Sequence, residues 1–181
     1  LLSPSTTMKR ALQTSSQARL SSEAIDRTVP FAFDKRVASV FGDMITRSVP
    51  LYGLVQDLSA QIAARFATPG SALCDLGCST GTTLVAVTNF LTSRQVQLIG
   101  VDNSGAMLDA CRKKLAEHGV VGVQLIEADL AQIALPPCSA ILCNYTLQFV
   151  PPEQRVAILK RIHAALNPGG ALVLTEKICH A

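Results

Sequence analysis

No apolar run in the chain approaches the roughly 18 residues of a membrane-spanning helix, although 49% of its 181 residues are hydrophobic. The high hydropathy is therefore expected to reflect buried strands, with no membrane partner. Only 16% of the residues are charged, too few for a disordered or fibrous protein. None of the six cysteines (Cys74, Cys78, Cys111, Cys138, Cys143 and Cys179) stands in a C-x-x-C pair, and His118, His163 and His180 are dispersed. That excludes a zinc site by spacing, so no metal is expected, and the cysteines read as buried free thiols in a reducing compartment. There is no acid in residues 1–22, where Lys9, Arg10 and Arg19 already account for the whole net charge of +3. The remaining chain is neutral, which argues against nucleic acid as a direct partner. No Ser-His-Asp or Cys-His set stands out, so no catalytic side chain is assigned.

What is present has the length of one domain, enough to bury about 70% of its unfolded surface. Residues 1–28 are Ser/Thr-rich without a clear apolar period and read as a mobile tail or an organelle transit segment. Residues 29–68 read as a helical cap. Val37, Val40, Phe41, Met44 and Ile45 are spaced for an amphipathic helix over 34–48, closed by Pro50. A second helix should follow with Leu54, Val55, Leu58, Ile62 and Phe66 on its buried face, ended by Pro69-Gly70. From residue 69 on, strands and helices alternate. Strands are expected at 71–76, 97–101, 123–126, 140–143 and 171–175. Helices are expected at 80–92, from the Ser104 cap to Gly119, and at 153–166 with Val156, Leu159, Ile162 and Leu166 inward; residues 167–170 read as a turn. This order implies an α/β, Rossmann-like, mainly parallel sheet with helices on both faces.

Such sheets bind ligands beyond the carboxyl ends of their strands. The first strand is followed by Asp75-Leu76-Gly77-Cys78-Ser79-Thr80-Gly81, whose small residues allow close approach of the backbone to a ligand. Asp102 follows the second strand and suits two ribose hydroxyls. Asp129 follows the third and suits an adenine amine; Asn144 follows the fourth. Asp102 and Asp129 each also read as a simple helix cap. Together the four strand ends point to an adenosine-containing ligand, and Gly-x-Gly-x-x-Gly is broken by Ser79 and Thr82, which disfavours NAD.

The segments Asp75–Gly81, Gly100–Ser104, Glu127–Leu130 and Asn167–Leu174 resemble the class I S-adenosylmethionine (SAM)-dependent methyltransferase fold over residues 71–177. A narrower resemblance lies in Phe33–Phe41, Asp43-Met44-Ile45, Arg47-Ser48-Val49-Pro50-Leu51-Tyr52, Asn144–Phe149 and Thr175-Glu176-Lys177. These stretches resemble the carboxy-S-adenosyl-L-methionine synthase family over residues 33–177.

The resemblance implies an enzyme that takes SAM and prephenate and yields carboxy-SAM and phenylpyruvate, the carboxyl group ending on the SAM methyl carbon. Carboxy-SAM then feeds a separate enzyme that makes 5-oxyacetyluridine at the tRNA wobble position. Prephenate loses carbon dioxide and aromatises, supplying driving force and a base, so the protein mainly holds two reactants together and excludes water. By the same resemblance Gly77, Cys78 and Ser79 would meet the methionine end of SAM, Asp102 and Asn103 the ribose and adenine side, and Asp129 with the Leu130 backbone the adenine. Asn144 and Tyr52 would border the sulfonium, Tyr52 reading equally as a core aromatic; Arg47 reads as a carboxylate ligand or as a surface charge. The family implies a homodimer, and the cytoplasm is the expected location. Family members continue beyond the position of Ala181 with a helix, a strand pair and an arginine that binds the new carboxylate, so the chain is expected to lack the last strands. Two other readings remain at this stage: an ordinary class I methyltransferase, and a truncated, non-catalytic SAM-binding protein.

Overall fold

The computed structural model describes residues 33–92 and 95–177, all within the second of two units into which the chain divides after Ala32. The expectations for residues 1–28 and for Cys179 and His180 lie outside the described residues. Helix α1, Lys35–Ser48, begins at Asp34, whose carboxylate accepts the Val37 N–H at 2.9 Å, and stops just ahead of Pro50. Helix α2, Tyr52–Phe66, follows a left-handed Leu51. Then come β1 (Ala72–Leu76), α3 (Thr82–Thr88), β2 (Gln97–Asp102), α4 (Gly105–Glu117), β3 (Gln124–Glu127), β4 (Cys138–Asn144), a short 3₁₀ turn at Leu147–Phe149, α5 (Pro152–Ala165) and β5 (Leu166–Thr175). Ser104 caps α4 through the Met107 N–H, as its sequence suggests.

The five strands form one sheet in the order β3-β2-β1-β4-β5, and every pairing is parallel. Alternate residues of each strand face opposite ways. Leu73, Leu98, Ala140 and Leu142 pack on the side of α2 and α3, with Ala60, Ala63 and Val87. Cys74, Leu76, Ile99, Val101, Ile141 and Cys143 pack on the side of α5, with Ile158 and Ile162. The central strands are thus apolar on both faces, as a covered parallel sheet requires. All five described cysteines are free and buried. No described helix is long and apolar enough to cross a membrane.

Four local expectations need correction. The face that α2 buries is Gln56, Ser59, Ala60 and Ala63, while Leu54, Leu58, Ile62 and Phe66 are 39–53% exposed. Small residues let α2 lie close against α3, β4 and β5, so the large side chains are turned outward. Helix α5 buries Ile158 and Ile162 and leaves Val156 61% exposed, a rotation of its inward stripe. Helix α3 is shorter than expected, starting only after left-handed Gly81 and ending where Thr88 bonds back to the Val85 carbonyl. Residues 167–170 are no separate turn: β5 already pairs at Leu166 with Cys138, and the register then jumps to Ala171 opposite Ala140. The intervening residues form an irregularity inside the strand, where a Cβ on Gly170 would lie 2.9 Å from the Ser139 carbonyl oxygen.

Candidate functional site

Asp75 sits opposite Gly100 of β2 and Leu142 of β4. Two residues further on, Asp102 and Asn144 end those neighbouring strands and face the same side of the sheet. Strand β1 stops at Leu76, so Gly77 falls between them and the chain turns away at the point where the strand order reverses, the place where such sheets form their ligand crevice. Both Gly77 and Cys78 donate their N–H to the Val101 carbonyl, at 2.8 and 2.9 Å. Gly77 is left-handed, and a Cβ there would run into the Thr146 side chain. Ser79 is also left-handed, a strained state for a residue with a side chain. Its N–H donates to Asp102 Oδ2 at 2.9 Å, while Asp102 Oδ1 accepts the Ser104 N–H at 2.9 Å. Asp102 therefore ties the loops after β1 and β2 together. Burial pushes its pKa up, and the backbone N–H bonds pull it back. Lys114 of α4 steadies the same loop by donating to the Thr80 and Thr82 hydroxyls at 3.0 and 2.8 Å.

Asp75 lies buried beneath these strand ends. It is 2% exposed, its Oδ2 has no hydrogen-bond partner, and burial, reinforced by the Asp102 charge, pushes its pKa to about 7. Tyr52, at the start of α2, lies close enough for burial and the Asp75 charge to push its hydroxyl to about 12, against the opposing pull of a hydrogen bond with Thr82. The hydroxyl thus stays protonated. The Tyr52 ring is 6.3 Å from that of Tyr145, a left-handed residue whose N–H donates to the Thr175 carbonyl at 2.7 Å. Glu176 accepts the Leu147 N–H at 2.6 Å and fixes the far end of this loop; its other oxygen is buried without a partner. Asn144 accepts a hydrogen bond from Ser59 of α2 at 3.2 Å, and its Nδ2 is likewise buried and unpartnered.

The structure brings Tyr52, Gly77, Ser79, Asp102 and Asn144 to one end of the sheet. Cys78 offers only its backbone, because its thiol is packed with Leu84, Leu108 and Cys111. Asn103 is exposed beside Asp102. Asp129 and Leu130 follow β3, two strands away from β1; Asp129 is exposed and its Oδ1 caps its own turn through the Ala131 N–H at 2.8 Å, while Leu130 packs against the core. Arg47 pairs with Asp43 at 3.1 Å on the exposed side of α1. Asp75, Ser59, Tyr145 and Glu176 were missed in the sequence. Asp75 carried a signal there, as a carboxylate within an otherwise apolar strand, and Tyr145 and Glu176 lay in stretches read only for their family likeness; Ser59 carried none.

These groups fit SAM. A buried, unpartnered carboxyl at Asp75 calls for a cationic or donor group, and SAM carries both a sulfonium and an ammonium. The unpartnered Asn144 amide calls for an acceptor. Gly77 leaves backbone where a side chain would fill the approach.

A family model described as a methyltransferase domain matches residues 73–170. The structure resembles the CcbJ methyltransferase from Streptomyces caelestis with a TM-score of 0.62 at 21% identity, covering 76% of this chain and 54% of that one. It also resembles the plantazolicin methyltransferase BpumL, solved in complex with SAH, with a TM-score of 0.57 at 16% identity, covering 75% and 51%. At these identities the likeness shows the fold alone. Among curated relatives, the carboxy-S-adenosyl-L-methionine synthase of Geobacter sp. (strain M21) is 46% identical over 85% of this chain and 64% of its own length. That of Vibrio cholerae (El Tor Inaba N16961) is 44% identical over 87% and 65%. That of Pseudomonas syringae pv. tomato is 43% identical over 88% and 67%. The chain thus spans a little under two thirds of the first two relatives. With the strand-end crevice in place and this degree of identity across most of its residues, the chain belongs to the carboxy-S-adenosyl-L-methionine synthase family, built on the SAM-dependent methyltransferase fold.

Proposed function

We propose that the protein converts SAM and prephenate to carboxy-SAM and phenylpyruvate. The observation that carries this reading is the 46% identity to a carboxy-SAM synthase over 85% of the chain. The ring–carboxyl bond of prephenate breaks and its ring hydroxyl departs, giving phenylpyruvate. The carboxyl carbon becomes bonded to the methyl carbon of SAM, and the displaced methyl proton leaves with the hydroxyl as water. SAM supplies a methyl group made acidic by the adjacent sulfonium.

The chain's own residues orient and shield. Gly77, Cys78 and Ser79 present backbone to the methionine end; Asp102 and Asn103 take the ribose and adenine side; Asp129 and the Leu130 backbone take the adenine. Asp75, near neutral pH in its ionisation, becomes a carboxylate when a cation faces it. Tyr52 and Tyr145 cover the crevice, and Asn144 offers a donor beside the reacting carbon. Exclusion of water by this aromatic cover protects the reactive carbon from quenching. The homodimer, the cytoplasmic location and a product destined for 5-oxyacetyl wobble uridine belong to the same proposal, with no direct contact to tRNA. Chromatography of phenylpyruvate tests it: release from prephenate should depend on SAM, and release at an equal rate without SAM would contradict it.

A further inference from the structure

Two polar side chains lie on the buried face of α2, Gln56 and Ser59, each 3% exposed. Gln56 is satisfied within the fold, accepting from the Thr83 hydroxyl of α3. Ser59 reaches the end of β4, where its Oγ donates to Asn144 Oδ1 at 3.2 Å. A carboxamide has one oxygen that accepts and one nitrogen that donates. With the oxygen engaged by α2, the nitrogen is the arm left over, and it is buried with no protein partner. A buried donor left in that state is costly unless a ligand completes it. Asn144 lies on the same sheet face as Asp75 and Asp102, one strand from Gly77.

We infer that Ser59 is a positioning residue: it holds the Asn144 amide with its N–H arm toward the site, so that Asn144 reads a carboxylate oxygen on the ligand. The inference rests on the carboxy-SAM reading. In that reaction the group that separates product from substrate is one carboxylate beside the sulfonium. An N–H facing that position makes a charge-assisted bond with the carboxylated ligand that a bare methyl cannot offer. The Ser59–Asn144 pair therefore discriminates between the two, while Asp75 and Asp102 serve both alike.

Dissociation constants for SAM and for carboxy-SAM, measured calorimetrically on the full chain, test this with two variants. Ser59→Ala frees the amide to rotate and should weaken carboxy-SAM about threefold, with SAM unchanged. Asn144→Asp keeps an acceptor for Ser59 but sets an oxygen where the N–H stood. It should weaken carboxy-SAM about tenfold or more, and by a clearly larger factor than it weakens SAM. A urea melt of each variant checks that it is folded; since the two changes are independent, loss of one variant leaves the other to decide. If both ligands weaken by the same factor in either folded variant, the inference is overturned and the functional reading stands. If the unaltered chain binds neither ligand, the functional reading fails and takes the inference with it.

Discussion

Thr146 occupies the space that a side chain on Gly77 would need. Its hydroxyl donates to the Leu76 carbonyl at 3.0 Å, and Gly77 beneath it is left-handed at φ +74°. The loop after β4 is thereby seated on the loop after β1, and the crevice between them depends on a missing methyl group. Gly77→Ala should cost about 1–3 kcal/mol from the strained backbone and the collision together, read as a lower urea midpoint with an unchanged slope. SAM affinity should fall with it. A Gly77→Ala protein as stable as its parent would contradict this packing.

Asp75 sets a pH dependence. Its folded pKa, about 7, lies above the ordinary 3.8, so the folded state holds a proton that the unfolded state releases between these values. The stability this confers is fully present below about pH 4 and is lost as pH rises through 7, on the order of 4 kcal/mol in all. Asp75→Asn should flatten that fall, leaving the ligand-free protein more stable than its parent at pH 8.

The same carboxyl couples ligand binding to protons. A cation against Asp75 favours the ionised form, so SAM binding at pH 6.5–7 should release protons from the protein. Calorimetry in buffers of different ionisation enthalpy reads this directly. The Asp75→Asn variant should bind SAM at least about tenfold more weakly and show no such release.

The two faces of α2 should respond in opposite ways to substitution. Leu58 is 47% exposed, so Leu58→Gln should change stability by less than about 0.5 kcal/mol. Ala60 is fully buried, and Ala60→Leu should cost about 1–3 kcal/mol by overpacking. Equal effects would restore the orientation that the apolar spacing alone suggests.

That helix shows where sequence reading stops. Periodicity finds a helix wherever large apolar residues recur, and assumes that they face the core. In α2 the core side is chosen by close approach to α3, β4 and β5, which admits Ala60, Ala63 and Ser59 but not Leu58 or Ile62. The alternation of strand and helix was legible because β1, β2 and β4 are covered on both faces and so read as continuous apolar runs. Gly77, Asp102 and Asn144 were legible because each ends such a run. The partners that complete them were not. Ser59 lies far from Asn144 in sequence, and Glu176 reaches Leu147 only across the β4–β5 pair, so neither contact leaves a local pattern. Asp129 was legible as a strand-end acid, and the structure shows its side chain engaged in its own turn.

The most direct test of the account is the fate of the prephenate ring carboxyl. The purified chain would be incubated with SAM and prephenate labelled with carbon-13 at that carboxyl, and the nucleoside products analysed by mass spectrometry. The account predicts a product equal to SAM plus one carbon dioxide that carries the label, and none of it when prephenate is withheld. SAM recovered without the label while the chain binds it, or consumed only by methyl transfer to another acceptor, would contradict it.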